Sequence, residues 1–600
     1  MNSHSSGDPS LDIVAARKKY QQERDKRLRS DGTAQFNYGT EAFTHFIADP
    51  FANPDFDRAP INDEVDVIII GGGFGGLLTA ARLYQQGICD VRIIEKGADV
   101  GGTWYWNRFP GARCDTEAYI YMPLLEELGY IPREKYASGV EIREHCERIA
   151  KTHGVYDKAC FQTQATELRW DQDSARWLLK TDRGDNMRCR FVCTSAGILH
   201  RAKLPDIPGI HDFEGRVFHT SRWDYDYTGG SPTERMSKLK NKSVGVVGTG
   251  ATAIQCIPEL AIDAQQLYVF QRTPSSIDVR NNQPTDAEWQ NQLQPGWQRE
   301  RIDNFNCLLS GVPVEEDLVS DGWTSVVHMT QEHIAEHGLP ESEEAMAQMS
   351  EVVDLKKMSQ LRARVEQQVN SSETAEALKP WYRQWCKRPC FHDSYLDTYN
   401  RDNVTLVDTQ GRGVEKILPN AVVVNGETYP VDCLVFATGF DFFATITRRL
   451  QCTIIGKNGL SLADKWANGV SSLFGLHTRG FPNLFILSND QSTNTINFTH
   501  TLDEQAKHIA YVIEQSKARD LRSVDVDAQA ETEWVEKILA QNSPMKQLIA
   551  ECTPSFYNNE GNPDARPGQN TFITNTTEYF KILQDWRDNN AFEGLETLHE

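Results

Sequence analysis

The chain has 600 residues, more than one hydrophobic core usually supports, so two or more domains are expected. Apolar residues make up 39% and charged residues 24%, ordinary values for a folded globular protein. The 84 acidic residues outnumber the 62 basic ones for a net charge of −22, a field that repels phosphate backbones and anionic lipid and argues against nucleic acid or membrane partners.

In chain order, the opening MNSHSSGDPS has neither a basic n-region nor an apolar h-region, so it does not read as a secretory signal. The apolar run 65–70 is far too short to span a bilayer. These features predict a cytoplasmic enzyme whose thirteen cysteines are reduced thiols. Cys189/Cys193 and Cys386/Cys390 have no second pair or His cluster beside them, so structural thiols are expected and no metal. Residues 1–60 read as an extension before the first domain, with a helical stretch over 11–28. Glu23 and Asp25 stand four residues before Arg27 and Arg29, a spacing that predicts salt-bridged solvated faces.

The run Glu64-Val-Asp-Val-Ile-Ile-Ile70 is short, β-branched and continuously apolar, as a buried parallel strand requires. A glycine-rich turn at 71–76, helical periodicity over 77–86 and a strand over 91–95 complete one βαβ unit. The alternating runs around Trp170 and Trp177 predict a hairpin. The βαβ grammar recurs with a strand at 243–247, a turn at 248–253, a helix to about 260 and a strand at 267–271. Residues from about 276 to 385 read as a mostly helical insert; strands at 404–407, a hairpin at Asn425-Gly426 and a buried strand at 433–439 follow.

The first unit carries Gly71-x-Gly73-Phe74-x-Gly76, in which successive glycines permit the turn, the approach of a pyrophosphate and close helix–strand packing. Glu95 ends the second strand, where a carboxylate can hold ribose hydroxyls; strand, helix and acid in register predict FAD here. In the second unit, Gly248-Thr249-Gly250-Ala251-Thr252-Ala253 is followed by Arg272-Thr273 where an acid would otherwise stand. A guanidinium there suits a 2′-phosphate and predicts NADPH, a surface arginine being the plain alternative. Two further segments lie between the units. Gly101-Gly102-Thr103-Trp104, continuing to Phe109-Pro110-Gly111 and Asp115, is dense in aromatic and small residues and suits a flavin wall. Phe213-x-Gly215-x-x-x-His219-x-x-x-Trp223-Asp224 places a histidine at a domain hinge, a structural position.

These segments, in this order, resemble the type I Baeyer–Villiger monooxygenases. The Phe213 to Asp224 segment is similar to that family's fingerprint, Gly102-x-Trp104 through Asp115 to its second signature, and Phe436-Ala-Thr-Gly-Phe-Asp441 to a later turn. The likeness runs from about residue 61 to about 580. The long N-terminus, Trp385-Cys-Lys-Arg-Pro-Cys390 and Thr553-Pro-Ser-Phe-Tyr-Asn-Asn-Glu560 look closest to members acting on large cyclic ketones, such as cyclopentadecanone monooxygenase.

The resemblance implies an α/β fold with two Rossmann-type domains and a helical insert. The FAD domain would comprise 61–198 and 432–600, and the NADPH domain 199–431. It also implies oxidation of bulky cyclic, macrocyclic or steroid-like ketones to esters or lactones by O2 through a peroxyflavin. Arg388 matches the active-site arginine, Asp115 the acid that pairs with it, and Lys387 a lysine at the 2′-phosphate. The substrate would lie near Arg388 and the 488–499 segment. Phe556 replaces a tryptophan found in many members; it has no N–H, so Tyr557 or Asn558 substitutes or the contact is packing. A nitrogen- or sulfur-oxidising flavin monooxygenase shares both units but lacks the Trp223-Asp224 ending and the Asp115/Arg388 pair. A disulfide reductase needs a cysteine pair soon after Glu95, where Cys114 stands alone. A nucleotide-sensing binding protein on the same fold is the reading from another class.

Overall fold

A computed structural model describes residues 12–37, 46–442, 444–493, 495–541, 544–562 and 575–599. The opening decapeptide, and Asn494 of the 488–499 segment, lie outside them.

The β-branched run Glu64–Ile70 lies inside an eight-stranded sheet, parallel to Val91–Ile94 on one side and Asn186–Thr194 on the other. Val67, Ile68 and Ile69 have no exposed surface, because a parallel strand covered on both faces buries both side-chain rows. The helix Phe74–Gln85 packs against it and against the long helix Phe498–Ala518. The predicted hairpin forms, with Trp170 opposite Trp177 in the antiparallel pair Ala165–Asp171 and Arg176–Thr181. Trp177 is fully buried and donates its indole N–H to the Pro482 carbonyl at 2.8 Å, which ties the hairpin to the C-terminal part of the chain.

The second sheet has five parallel strands in the order Val404–Asp408, Gln266–Gln271, Ser243–Val247, Cys433–Phe436 and Arg216–His219. This corrects one boundary. The strand Cys433–Phe436, expected in the closing FAD segment, belongs to the second sheet, between Ser243–Val247 and Arg216–His219. A strand that is apolar on both faces satisfies either sheet, so its pattern alone does not say which one it joins. The insert is helical as expected, with Trp297–Leu309, Ser325–His337 and Glu343–Gln368 as its longest elements.

One further expectation is overturned and another is extended. The cysteines are not all reduced: Cys386 and Cys552 form a disulfide across a separation of 166 residues, and the other eleven are free. A pairing that distant leaves no spacing signature. The basic extension is not only a solvated face. Its helix Ile13–Asp25 is followed by Arg27, which is 7% exposed and bonds Glu23 as the spacing predicts. The same guanidinium also donates to the Arg272 carbonyl and to Thr273 Oγ1, each at 3.1 Å. Four-residue spacing finds the ion pair but not the surface it is pressed against. The extension then adds Phe36–Asn37 as a strand against Leu204–Pro205.

Candidate active site

At the first glycine turn, Gly71 has φ +110°, and a Cβ on it would stand 2.4 Å from the Ser195 carbonyl oxygen. A Cβ on Gly76 would lie 1.9 Å from the Gly71 carbonyl oxygen, so helix and strand meet at a distance only glycine allows. The amides of Gly72 and Gly97 each donate to Glu95 at 2.6 Å. Burial pushes the Glu95 carboxyl above the usual range, and these two bonds oppose it. Gly102 packs against Gly73 and opens the short helix Thr103–Trp106, in which Trp104 donates to Tyr121 Oη at 2.9 Å.

Thirteen residues on, Asp115 meets Arg388. The guanidinium donates Nη2–H to Oδ1 at 2.6 Å and Nε–H to Oδ2 at 3.1 Å, a two-point bond that fixes its plane. Trp323 of the helical insert donates to the Asp115 carbonyl at 2.7 Å and lies under the guanidinium, 5.0 Å from ring centre to Cζ. Burial works against the cation at Arg388, but Asp115 more than reverses this and holds its pKa above the ordinary value.

At the second turn, Gly248 has φ +111° and sits against the Ala437 carbonyl oxygen, which a Cβ would approach to 2.6 Å. Thr249 donates to the Thr273 carbonyl and Ser275 to the Thr249 carbonyl, which locks the turn onto the segment carrying Arg272. Arg272 donates to Gln35 and to Glu560, each at 3.0 Å. Among the described residues Lys387 has no carboxylate within ion-pair distance; burial, then Arg272, pulls its pKa down to about 8.

Both turns open on one cavity of about 1890 Å³. Gly71, Gly73, Phe74, Glu95, Gly102, Thr103, Trp104 and Asp115 line it. So do Gly248, Thr249, Gly250, Ala251, Thr252, Arg272, Thr273, Lys387 and Arg388. Gly76 does not, and lies in the helix–strand packing. Phe213, Gly215, His219, Trp223 and Asp224 also stand outside the lining. A Cβ on Gly215 would meet the Asp432 carbonyl oxygen at 2.4 Å, Asp224 caps the turn Tyr225–Thr228, and Trp223 donates to Thr228. Burial pulls the His219 pKa down to about 3, so the ring is neutral; its Nδ1 accepts from the Ser221 amide.

At Phe556 the structure narrows the alternatives. Asn558 spends its Nδ2 on the Cys552 carbonyl and accepts at Oδ1 from the amides of Ser555 and Gly561, so it is committed to the loop itself. Phe556 packs on Phe442 and Tyr557, and Tyr557 lies within electrostatic reach of Arg388. Gln35, Lys203 and Trp323 are not legible as site residues, each being a single side chain without a motif, delivered by the tertiary path. Glu560 ends the stretch from Thr553 that carries the resemblance, but nothing in that stretch gives it a role.

The residues present fit two dinucleotides. A Cβ on Gly250 would meet no protein atom within 4 Å, and its φ lies outside the left-handed range. Packing and backbone therefore do not demand glycine there, whereas close approach of a pyrophosphate does. Lys387, with no carboxylate within ion-pair distance among the described residues, stands close enough to Arg272 to feel its charge, a setting that fits a phosphate. Two such cradles opening on one cavity define a two-dinucleotide flavoprotein oxidoreductase.

Comparison with known proteins names the family within that class. Residues 69–128 match the NAD(P)-binding Rossmann-like domain. The chain is 51% identical to neopentalenolactone D synthase of Streptomyces avermitilis over 595 residues, 98% of this chain and 99% of that one. It is 46% identical to Baeyer–Villiger monooxygenase ATR8 of Stachybotrys chlorohalonatus over 594 residues, 98% and 95% of the two chains. It superposes on the polycyclic ketone monooxygenase of the thermophilic fungus Thermothelomyces thermophila with a TM-score of 0.90 at 37% identity, over 98% of this chain and 99% of that one. The chain belongs to the Baeyer–Villiger monooxygenase family.

Gly250→Ala is expected to leave the melting temperature of the enzyme unchanged or slightly raised while weakening NADP+ binding. Thermal unfolding and calorimetric titration of the same preparation check both; native NADP+ affinity in this variant would show that no ligand backbone passes over Gly250.

Proposed function

We propose that this chain oxygenates its ketone beside Arg388, with FAD laid along the first glycine turn, NADPH along the second, and Asp115 fixing the guanidinium between them. The enzyme is an FAD-containing, NADPH- and O2-dependent Baeyer–Villiger monooxygenase that converts bulky ketones to esters or lactones. The observation that carries the residue assignment is the two-point Arg388–Asp115 bond on the wall of the cavity shared by both turns.

The redox chemistry, hydride acceptance from NADPH and activation of O2, is supplied by bound FAD. The protein's part is electrostatic. Arg388 stays protonated at any working pH and so donates hydrogen bonds without exchanging its proton. Of its five N–H groups, two are given to Asp115 and Tyr557 also bonds the guanidinium, which leaves the others for negative charge developing on the reacting oxygens. Because the carboxylate and Trp323 already hold the guanidinium, little reorganisation is needed when that charge appears. Glu95 faces the ribose end of the first turn, and Arg272 with Lys387 face the 2′-phosphate at the second. NADPH is then favoured over NADH, since charge-assisted bonds to phosphate are about twice as strong as neutral ones.

Beyond the glycine turns the cavity continues to Leu309, Trp323, Trp385, Ile496 and Phe498, an apolar end near Arg388. A large ring system seated there gains about 25 cal/mol for each Å² of apolar surface removed from water. No helix among the described residues is long and apolar enough to cross a membrane. The setting we assign is the cytoplasm, and the acidic net charge supports small molecules rather than nucleic acid as partners.

Two measurements test this reading. With NADPH and O2 saturating, kcat/KM is expected to be higher for steroid-like or large-ring ketones than for cyclohexanone, and a clear preference for cyclohexanone would contradict the size assignment. The variant Arg388→Ala is expected to keep its flavin and its reduction by NADPH but to lose ester formation by about 100-fold or more, the scale of losing one such oxyanion donor. Native ester yield from this variant, read by product analysis beside stopped-flow reduction, would remove Arg388 from the chemistry.

A further inference from the structure

The loop that follows Cys552 carries a charge that the reaction above does not use. Glu560 accepts from Lys203 Nζ at 2.6 Å through one carboxylate oxygen and from Arg272 Nη2 at 3.0 Å through the other. Its side chain is only 2% exposed, so solvent does little to screen either bond. Burial would raise its pKa, but Arg272 and then Lys203 bring it down to about 2, which keeps the carboxylate charged. On the opposite arm of the same guanidinium, Nη1 donates to Gln35 Oε1 at 3.0 Å. Arg272 is thus held between the N-terminal extension and the C-terminal loop.

The backbone pays for this placement. Asn559 and Glu560 have φ of +50° and +57°, a region that side chains other than glycine seldom adopt. The loop is braced against relaxing: the Glu560 amide donates to the Ser555 carbonyl, and Ser555 Oγ donates to the Cys386 carbonyl at 3.1 Å. The Cys386–Cys552 disulfide joins the two segments at the same point. An unfavourable conformation kept under such bracing points to a job for the side chain it aims.

We propose that Glu560 is a positioning residue that sets the preference for NADPH over NADH, by holding Arg272 and Lys203 as a fixed cationic pair for the 2′-phosphate. This rests on the reading of Arg272 as the phosphate contact. Arg272 gives one N–H to Glu560 and one to Gln35, which leaves three of its five for a ligand. The charges point the same way: Lys203, Arg272 and Lys387 are cations and Glu560 carries one negative charge, which leaves a positive surplus for a phosphate monoester of about −1.5 to −2 at neutral pH. A carboxylate that merely filled the phosphate's place would have to leave when the nucleotide bound. The bracing of the loop, through the Glu560 amide on the Ser555 carbonyl and the disulfide at Cys552, opposes that departure. Glu560 therefore stays and supports the site.

The test is calorimetric titration of the FAD-loaded enzyme with NADP+ and with NAD+, comparing native, Glu560→Gln, Gln35→Leu and Arg272→Ala proteins. Glu560→Gln is expected to weaken NADP+ by about tenfold or more while NAD+ stays close to its native affinity. Gln35→Leu is expected to shift NADP+ the same way by less. Three outcomes for Glu560→Gln would overturn the inference while Arg272→Ala still abolishes the preference: NADP+ unchanged, NADP+ tighter as for a displaced plug, or both nucleotides weakened alike. Should Glu560→Gln not fold, Gln35→Leu decides, and an unchanged NADP+ affinity in it overturns the inference. If Arg272→Ala itself keeps the native preference, the underlying phosphate assignment falls instead.

Discussion

The two-point bond between Arg388 and Asp115 puts a permanent cation at the junction of two nucleotide turns, and much of the molecule serves to keep it there. The partners are 273 residues apart in the chain. Asp115 arrives on the aromatic segment that leaves the first βαβ unit, and Arg388 on the strand-like return from the helical insert. Trp323, from within the insert, bonds the Asp115 backbone and underlies the guanidinium, so the insert is part of the site's frame. The disulfide at Cys386 and the Ser555–Cys386 bond secure the Arg388 segment to the C-terminal loop. In the proposed reaction, a guanidinium held this way would meet developing negative charge without first having to find its position.

The same logic orders the charges at the nucleotide end. Lys203, Arg272 and Lys387 are gathered in one corner of the cavity, where burial and the charge of Arg272 oppose the charged forms of the two lysines. Glu560 pairs with Lys203 and Arg272, and among the described residues Lys387 has no carboxylate within ion-pair distance. A cation so placed is stabilised by a phosphate that a plain ribose does not carry. The fingerprint around His219 stands outside this corner, and its neutral, buried ring and close-packed Gly215 belong to the seam between the cavity wall and the second sheet.

Local rules made much of this legible in the sequence. The runs 64–70 and 243–247 are β-branched and apolar, and each ends in glycines whose positive φ at 71 and 248 the turn requires. The hairpin at Trp170 and Trp177 is visible from alternation alone. What escaped is long-range. The strand Cys433–Phe436 fits either sheet by composition, and only its pairing with Ser243–Val247 and Arg216–His219 decides between them. The thiols of Cys386 and Cys552 carry no mark of their pairing, and nothing about Gln35 or Glu560 shows that each reaches Arg272 across 237 and 288 residues. The helical pattern of the extension was readable, whereas the burial of Arg27 against Arg272 depends on where the folded chain takes it.

In the proposed mechanism a cation fixed by its carboxylate, and not the cation's mere presence, supports the oxygenating half of the reaction. Asp115→Asn keeps the shape of the partner and removes its charge, and rapid mixing separates flavin reduction from product formation. NADPH is expected to reduce the flavin of this variant near the native rate while the ester or lactone formed per NADPH consumed falls by about 100-fold or more. Native product yield per NADPH in Asp115→Asn would contradict it.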